Sequence, residues 1–414
     1  MEKKEGPMNN RTYPASAKVR ELFTVLGSRL NKNVSIRHFQ ELLSPEETIL
    51  ILRWQQDSRR RHQSQRRKVD VPFATKVCNT MKVCNVEGSN NGPRPVIELW
   101  LEVEPKCNLH CSFCYNYWRG EPGRTPNTLP TSDLIKALSS LLSRVDCQAL
   151  SISGGEPLLR EDLDEVLMGI KPFAIPTVIT SNGVLLNKTR IAELASAGVG
   201  AFQLPLHSAD ANLHNTLSGG VAWEPAISAL IDLAESGLPT AVVFVATSRN
   251  LSHFAPVLHL CAALNVRRII FNRLVPAGLG KTNQDMLGMP EEADLVRAIR
   301  EANRIATQYG QSIDLGVPIT SRDIGNFSSP RVNAASCPVA RGQHRWAIGP
   351  EGNIRRCNQS EVSIGNLLTG GIERMMNEML AFDVSSRAEL MPCKILNQAI
   401  PITIPQREQE PSRH

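Results

Sequence analysis

The sequence lacks any run of 18 or more consecutive apolar residues, the length a helix needs to cross a bilayer core. Its start, MEKKEGPMNNR, also lacks the apolar stretch of a secretion signal. Both absences predict a soluble, cytoplasmic protein with no membrane partner. Thiols stay reduced in that compartment, so the ten cysteines do not imply a disulfide framework, and clustered ones are better read as metal ligands. A diffuse basic surface is missing as well. The net charge is +6, and Arg53–Lys68, with seven basic residues against one acid, carries +6 by itself, which leaves the remainder neutral. Such a run is a solvated helix end or linker, or else it meets an acidic partner such as a leader peptide or nucleic acid.

What is present is ample apolar material. Hydrophobic residues make up 42% of the 414 positions, enough for two or three domains or one large barrel with additions. Residues 17–62 carry helical spacing in three pieces, the last opened by Ser44 and Pro45, and EGSNNGPRP (87–95) reads as a linker. From 96 onward, apolar runs alternate with amphipathic stretches. Strands are predicted at VIELWLEV (96–103), CQALSIS (147–153), PTVIT (176–180), VGAFQLPL (199–206), LPTAVVFVA (238–246) and RRIIFNRL (267–274). Helices are predicted near 131–144, 161–170, 188–197, 222–236 and 251–264. Strands of nearly continuous apolar character, each followed by a helix, predict parallel β/α units. Periodicity alone does not separate a barrel, open or closed, from a doubly wound sheet. Past 310 the pattern changes. HRWAIGPEGNIRRC (344–357) predicts a hairpin turned at Pro350-Glu351-Gly352, followed by a helix near 371–382, as a separate small module.

Three thiols, Cys107, Cys111 and Cys114, fall within eight residues after the first strand, with Tyr115 behind them and no fourth cysteine nearby. A structural zinc site wants four ligands. A 4Fe–4S cluster tolerates three and leaves one iron open, so the missing fourth thiol is itself informative.

The Cys-x3-Cys-x2-Cys spacing followed by an aromatic resembles the signature of the radical S-adenosylmethionine (SAM) enzymes. SISGGEPLL (151–159) is similar to the Gly-Gly-Glu-Pro element of that family. The resemblance spans roughly 96–282. It implies an α/β fold, a partial (β/α)6 TIM-like barrel, with Cys107, Cys111 and Cys114 holding a SAM-binding 4Fe–4S cluster. It assigns Gly154, Gly155 and Glu156 to the methionine end of SAM, the glycines letting backbone approach where a side chain would collide. Ser181 and Asn182, in Thr180-Ser181-Asn182-Gly183, would line the adenosine site. Where many relatives have Ser-Leu-Asp-Gly after the fourth strand, this chain has Pro205-Leu206-His207-Ser208; Ser208 would reach the ribose and His207 would face the substrate or serve structure. Arg273, in NRLVPAGLGK (272–281), would touch SAM or substrate, or be a plain ion-pair donor.

A second resemblance covers 337–366. Cys337, a hairpin, Cys357 and Ile364-Gly365-Asn366 are similar to the auxiliary-cluster domain called SPASM, or its shorter form, twitch. With Cys393 this implies a second 4Fe–4S cluster on three thiolates, its fourth position open or filled by Cys78 or Cys84. Cys147 and Cys261 read as core residues. The expected organisation is a helical N-terminal extension and linker (1–95), the partial barrel (96–310), a small α+β auxiliary-cluster domain (311–400) and a tail (401–414).

The family implies a radical SAM oxidoreductase. It would cleave SAM reductively and abstract hydrogen from a peptide, as in ribosomal peptide maturation, or from a small-molecule natural-product intermediate, with flavodoxin or ferredoxin as electron donor. The alternative is a non-catalytic iron–sulfur or zinc redox sensor that binds nucleic acid through Arg59–Lys68. The Gly-Gly-Glu element argues against it, because a sensor needs no SAM site. If the basic run serves partner affinity rather than chemistry, neutralising Arg59, Arg60, Arg61, Arg66 and Arg67 together leaves substrate-free SAM cleavage unchanged. A collapse of that basal rate would place the run within the folded barrel instead.

Overall fold

The computed structural model describes residues 94–317 except 121, 122 and 124, residues 331–334, and residues 344–377 except 370, 372 and 375. The helices expected within 17–62, the basic run, most of the linker and of the 371–382 helix, the tail, and Cys78, Cys84, Cys337 and Cys393 lie outside them.

The chain alternates strand and helix. β1 (Val96–Glu104) leads to α1 (Thr131–Leu142), β2 (Asp146–Gly154) to α2 (Leu163–Ile170), and β3 (Thr177–Thr180) to α3 (Lys188–Ser196). β4 (Val199–Pro205) is followed by α4 (Ala211–Ser218) and α5 (Trp223–Ser236), and β5 (Thr240–Ala246) by α6 (Phe254–Ala263). After β6 (Arg268–Arg273) come α7 (Gly278–Thr282), α8 (Gln284–Leu287), α9 (Glu292–Tyr309), β7 (Ser312–Leu315) and β8 (Val332–Ala334). Four helices, α4, α7, α8 and α9, occupy stretches where the sequence predicts none. α9 hides its apolar stripe, Leu295, Val296, Ile299, Ala302, Ile305 and Ala306, among charged neighbours.

β1 to β8 pair in sequence order, every pair parallel. Among the described residues the order runs linearly to two edges, so the β/α units form an open, partial barrel. α1 shows how the helices dock: Leu134, Ala137, Leu138, Leu141 and Leu142 recur at helical spacing and are buried. They join Ile97, Leu99, Leu101 and Val103 of β1 in one core cluster. Cys261 is inside that cluster and Cys147 packs against it. No described helix is long and apolar enough to cross a membrane.

Two expectations need correction. β1 is not continuously apolar: Glu98, Trp100, Glu102 and Glu104 alternate with its core residues and face away from the helices. Nor does the C-terminal hairpin stand apart. β9 (His344–Ile348) lies parallel to β1, from Ile97 opposite His344 to Leu101 opposite Ile348. β10 (Asn353–Arg355) and β11 (Gly365–Asn366) extend the same sheet antiparallel. The reason is charge as well as backbone pairing. Arg345 bonds Glu98 at 2.5 Å and covers the Trp100 ring at 4.5 Å, while Arg355 pairs with buried Glu102. The sheet likewise continues past 310 at the other edge, through β7 and β8.

Candidate active site

The loop leaving β1 carries Cys107, Cys111 and Cys114 and is held mainly by backbone contacts to distant segments. At β2's exit, the Gly155 amide donates to Glu104 O at 2.7 Å and the Glu156 amide to Lys106 O at 2.8 Å. A Cβ on Gly155 would lie 2.2 Å from Lys106 O. At α4's exit, the amides of His110 and Ser112 donate to Ser218 O and Leu217 O at 3.2 and 2.9 Å. A Cβ on Gly219 would lie 2.2 Å from His110 O. At α7, a Cβ on Gly278 would meet Asn116 O at 2.5 Å and Cys114 O at 2.7 Å. Three glycine-bearing ends thus grip the loop at its start, middle and finish, and each is required by this chain's own backbone.

Side chains finish the grip. Asn116 Nδ2 donates to Gly154 O at 2.8 Å, Trp118 Nε1 to Pro105 O at 3.0 Å, and Asn283 Nδ2 to Ser112 O at 2.9 Å. Arg119 donates to Leu109 O at 2.7 Å, and its charge favours the thiolate at all three cysteines. The sequence reading missed Arg119; its place five residues beyond Cys114 was the available signal.

Burial raises all three thiols, Cys114 to about 11, and Cys111 is raised further by Cys114 and Cys107. Bare, the three are neutral thiols; ligating iron would deprotonate them. Among the described residues no three His, Cys, Asp or Glu side chains come close enough to hold a single metal ion. A polynuclear cluster takes each thiolate on a different iron and suits three thiols that sense one another's charge without converging on one point.

Glu156 is fully buried. Its Oε1 accepts from Ser181 Oγ at 2.8 Å and from the Leu158 amide at 3.2 Å, and its Oε2 accepts from the Asn182 amide at 2.8 Å. Both carboxylate oxygens therefore serve the protein, tying β2's exit to β3's, rather than being held out toward an amino group. Asn182 continues the tie: its Nδ2 donates to Asn108 Oδ1 at 2.7 Å and lies 3.9 Å from Cys107 Sγ.

Ser208 is also fully buried, 2.9 Å from His253 Nδ1 and accepting from the Asp210 amide at 2.8 Å. His207 is buried with Phe113 edge-on at 4.4 Å and His214 stacked at 5.5 Å. Its Nδ1 accepts from the Val245 amide at 3.2 Å, and burial drives its pKa well below the ordinary histidine value. It is a neutral ring supporting the cysteine loop. Arg273 is buried on the helix-packed side of β6 and donates to Leu274 O at 3.3 Å. Of the second cysteine set, Cys357 is described, half-buried two residues beyond β10, with the Gln359 amide 3.5 Å from its sulfur.

Residues 101–261 match the Radical SAM superfamily. Several relatives bear the name probable GTP 3',8-cyclase. That of Saccharolobus islandicus (strain Y.N.15.51 / Yellowstone #2) is 30% identical over 288 residues, covering 66% of this chain and 87% of the relative. That of Saccharolobus solfataricus is 30% identical over 210 residues, covering 50% and 65%. Among solved structures, Streptococcus suis SuiB bound to precursor peptide SuiA aligns with a TM-score of 0.55 at 18% identity, covering 81% of each chain. anSMEcpe with bound AdoMet aligns at 0.54 and 14%, covering 72% of this chain and 83% of the other. The chain belongs to the radical SAM superfamily, whose members are enzymes, and membership implies SAM and a 4Fe–4S cluster.

Two predictions follow from the packing. Gly219 and Gly310 both end helices in the left-handed conformation, but only Gly219 faces the cysteine loop. Gly310→Ala should cost stability of about 1–2 kcal/mol and leave iron binding intact, whereas Gly219→Ala should also lose iron after anaerobic reconstitution; equal iron content in the two variants would refute the clamp. For Glu156, burial lifts the carboxyl to about 7. A raised folded-state pKa means its stabilisation is present below about pH 4.5 and lost as pH rises through about 7. Glu156→Gln should make the unfolding temperature fall less steeply over that interval. A residual slope should persist, because buried Glu102 is also raised to about 7.

Proposed function

We propose that this enzyme binds a 4Fe–4S cluster through Cys107, Cys111 and Cys114 and SAM beside it, near Gly154, Gly155, Ser181, Asn182 and Ser208. When bound, the cluster and SAM supply a one-electron reductive cleavage, fed by a flavodoxin- or ferredoxin-type donor, that yields methionine and a 5'-deoxyadenosyl radical for hydrogen abstraction. The protein's own residues shape and dry the site. The glycine clamps fix the loop, Arg119 lowers the cost of thiolate charge, and Glu156 locks the exits of β2 and β3 together.

The substrate we favour is a peptide or natural-product intermediate without a large negative charge. The observation that carries this is the pairing of cations on the strand faces turned away from the helices. Arg345 is spent on Glu98, Arg355 on Glu102 and Arg268 on Asp314, the last at 2.6 Å. Among the described residues these three arginines are committed to carboxylates, whereas a triphosphate would need cations of its own. A nucleotide substrate is the second reading, supported by the name probable GTP 3',8-cyclase that the 30%-identical relatives carry. The SPASM- or twitch-like reading of the C-terminal part, with a second cluster on Cys337, Cys357 and Cys393, is supported by the hairpin, the half-buried Cys357 behind it and the short strand at Gly365–Asn366.

The test is anaerobic reconstitution, reduction and measurement of 5'-deoxyadenosine. Two clusters would give about eight irons per chain. Cys107→Ala with Cys111→Ala and Cys114→Ala should remove about half and abolish SAM cleavage, whereas alanine at Cys337, Cys357 and Cys393 should keep cleavage. Survival of cleavage in the first triple variant would sink the assignment. Adding GTP should not accelerate 5'-deoxyadenosine formation; acceleration with a purine-derived product would decide for the nucleotide.

A further inference from the structure

The two cysteine loops are joined by side chains that neither cysteine motif contains. Arg355, at β10's end, is fully buried. Its guanidinium lies over the Tyr117 ring at 4.9 Å and pairs with Glu102 of β1. It also donates to the carbonyls of Asn358 and Ser360 at 3.0 and 3.1 Å. One planar cation therefore grips the barrel strand, the turn behind Cys114 and the loop behind Cys357, a task for a fork of donors rather than a point charge. The loop so held presents Asn358 between the two motifs. Its side chain lies beside the Tyr115 hydroxyl and eases that group's ionisation, and the Cys357 thiol donates to Asn358 Oδ1 at 3.6 Å. Asn353 adds a parallel link, donating to the Tyr117 hydroxyl at 2.8 Å. The residues directly after Cys114 thus touch the hairpin at two points, with Arg355 between them.

We propose that Asn358 and Arg355 are positioning residues for the barrel cluster: the C-terminal hairpin holds the segment behind Cys114 in its ligating shape through Tyr115 and Tyr117. This rests on the reading that Cys107, Cys111 and Cys114 hold a cluster. It requires no metal at Cys357. The same hairpin contains its own control. Arg345 anchors β9 to β1 through Glu98 and Trp100, in the half of β1 remote from the cysteine loop, so hairpin docking and cluster positioning separate experimentally.

The experiment uses the full chain with Cys357→Ala, reconstituted anaerobically, so that the Cys357 loop contributes no thiolate. Iron release to a chelator is followed by loss of cluster absorbance, and the EPR spectrum of the reduced cluster is recorded with and without SAM. Asn358→Ala should speed release about fivefold, the factor one neutral hydrogen bond is worth, and should alter the SAM-induced change in the EPR spectrum. Tyr115→Phe should have a similar effect, and the double variant should add little, because both changes remove one interaction. Arg345→Met should leave release and spectrum as in the parent. Unchanged release in Asn358→Ala, additivity in the double variant, or an equal effect from Arg345→Met would each overturn the proposal. A parent that binds no cluster would overturn the cluster assignment and the proposal together, which distinguishes the two failures.

Discussion

The structure depends on one kind of contact: backbone pressed against backbone where side chains are absent. Gly155, Gly219 and Gly278 come from three regions of the chain, and each lets a helix or strand end reach the carbonyls of the cysteine loop. The loop's own apolar residues, Leu109, Tyr117 and Trp118, are buried, and Phe113 and Tyr115 pack against small core clusters, so side chains anchor it alongside these close approaches. Its internal order is slight, the Cys114 amide donating to Cys111 O at 3.1 Å. Its shape is therefore imposed from outside by elements that the hydrophobic core has already fixed. Close approach at three points leaves the thiols little freedom, which is what preorganised ligation requires.

Charge is handled by the opposite principle, each ion answered where it stands. β1 exposes carboxylates on the face that the helices do not cover, and the added hairpin brings arginines to meet them. Burial of Glu102 with Arg355 is an arrangement in which removing either partner leaves an uncompensated ion, a loss typically of about 3–5 kcal/mol. The buried histidines take the other route and stay neutral, His214 lowered to about 3.

Much of this was legible in the sequence. Six strands were readable because their apolar faces must meet helices, and the cysteine spacing and the Gly-Gly-Glu-Pro turn were readable because few other chemistries need them. The reason for the glycines was not. Their spacing suggested room for a ligand, whereas Gly155 makes room for Lys106 O. Glu156 was legible as a residue at the methionine end of SAM, but its partners within the protein were not, since only the fold puts Ser181 and the Asn182 amide beside it. His207 was open between function and structure, and Phe113 packs against it; Ser208, expected at the ribose, lies beside His253. The hairpin was correctly read as a hairpin. Its edge partner was unreadable, since parallel pairing of β9 with β1 is a contact across 247 positions that no local pattern encodes.

That pairing has a consequence for how the molecule is made. A chain emerging from a ribosome presents β1 long before residues 344–348 exist. Until β9 arrives, β1 is the outer strand of a growing sheet, with its pairing groups unmet on one side. Glu98 and Glu102 then stand there without their arginines, and a charged edge is poor glue for another chain. The same carboxylates that later lock the hairpin thus chaperone the unfinished sheet. The segment behind Cys114 also waits, since its contacts to Asn353 and Asn358 cannot form earlier. The finished grip on the cysteine loop is consequently a late event in the life of each molecule, after nearly all of the barrel has been laid down.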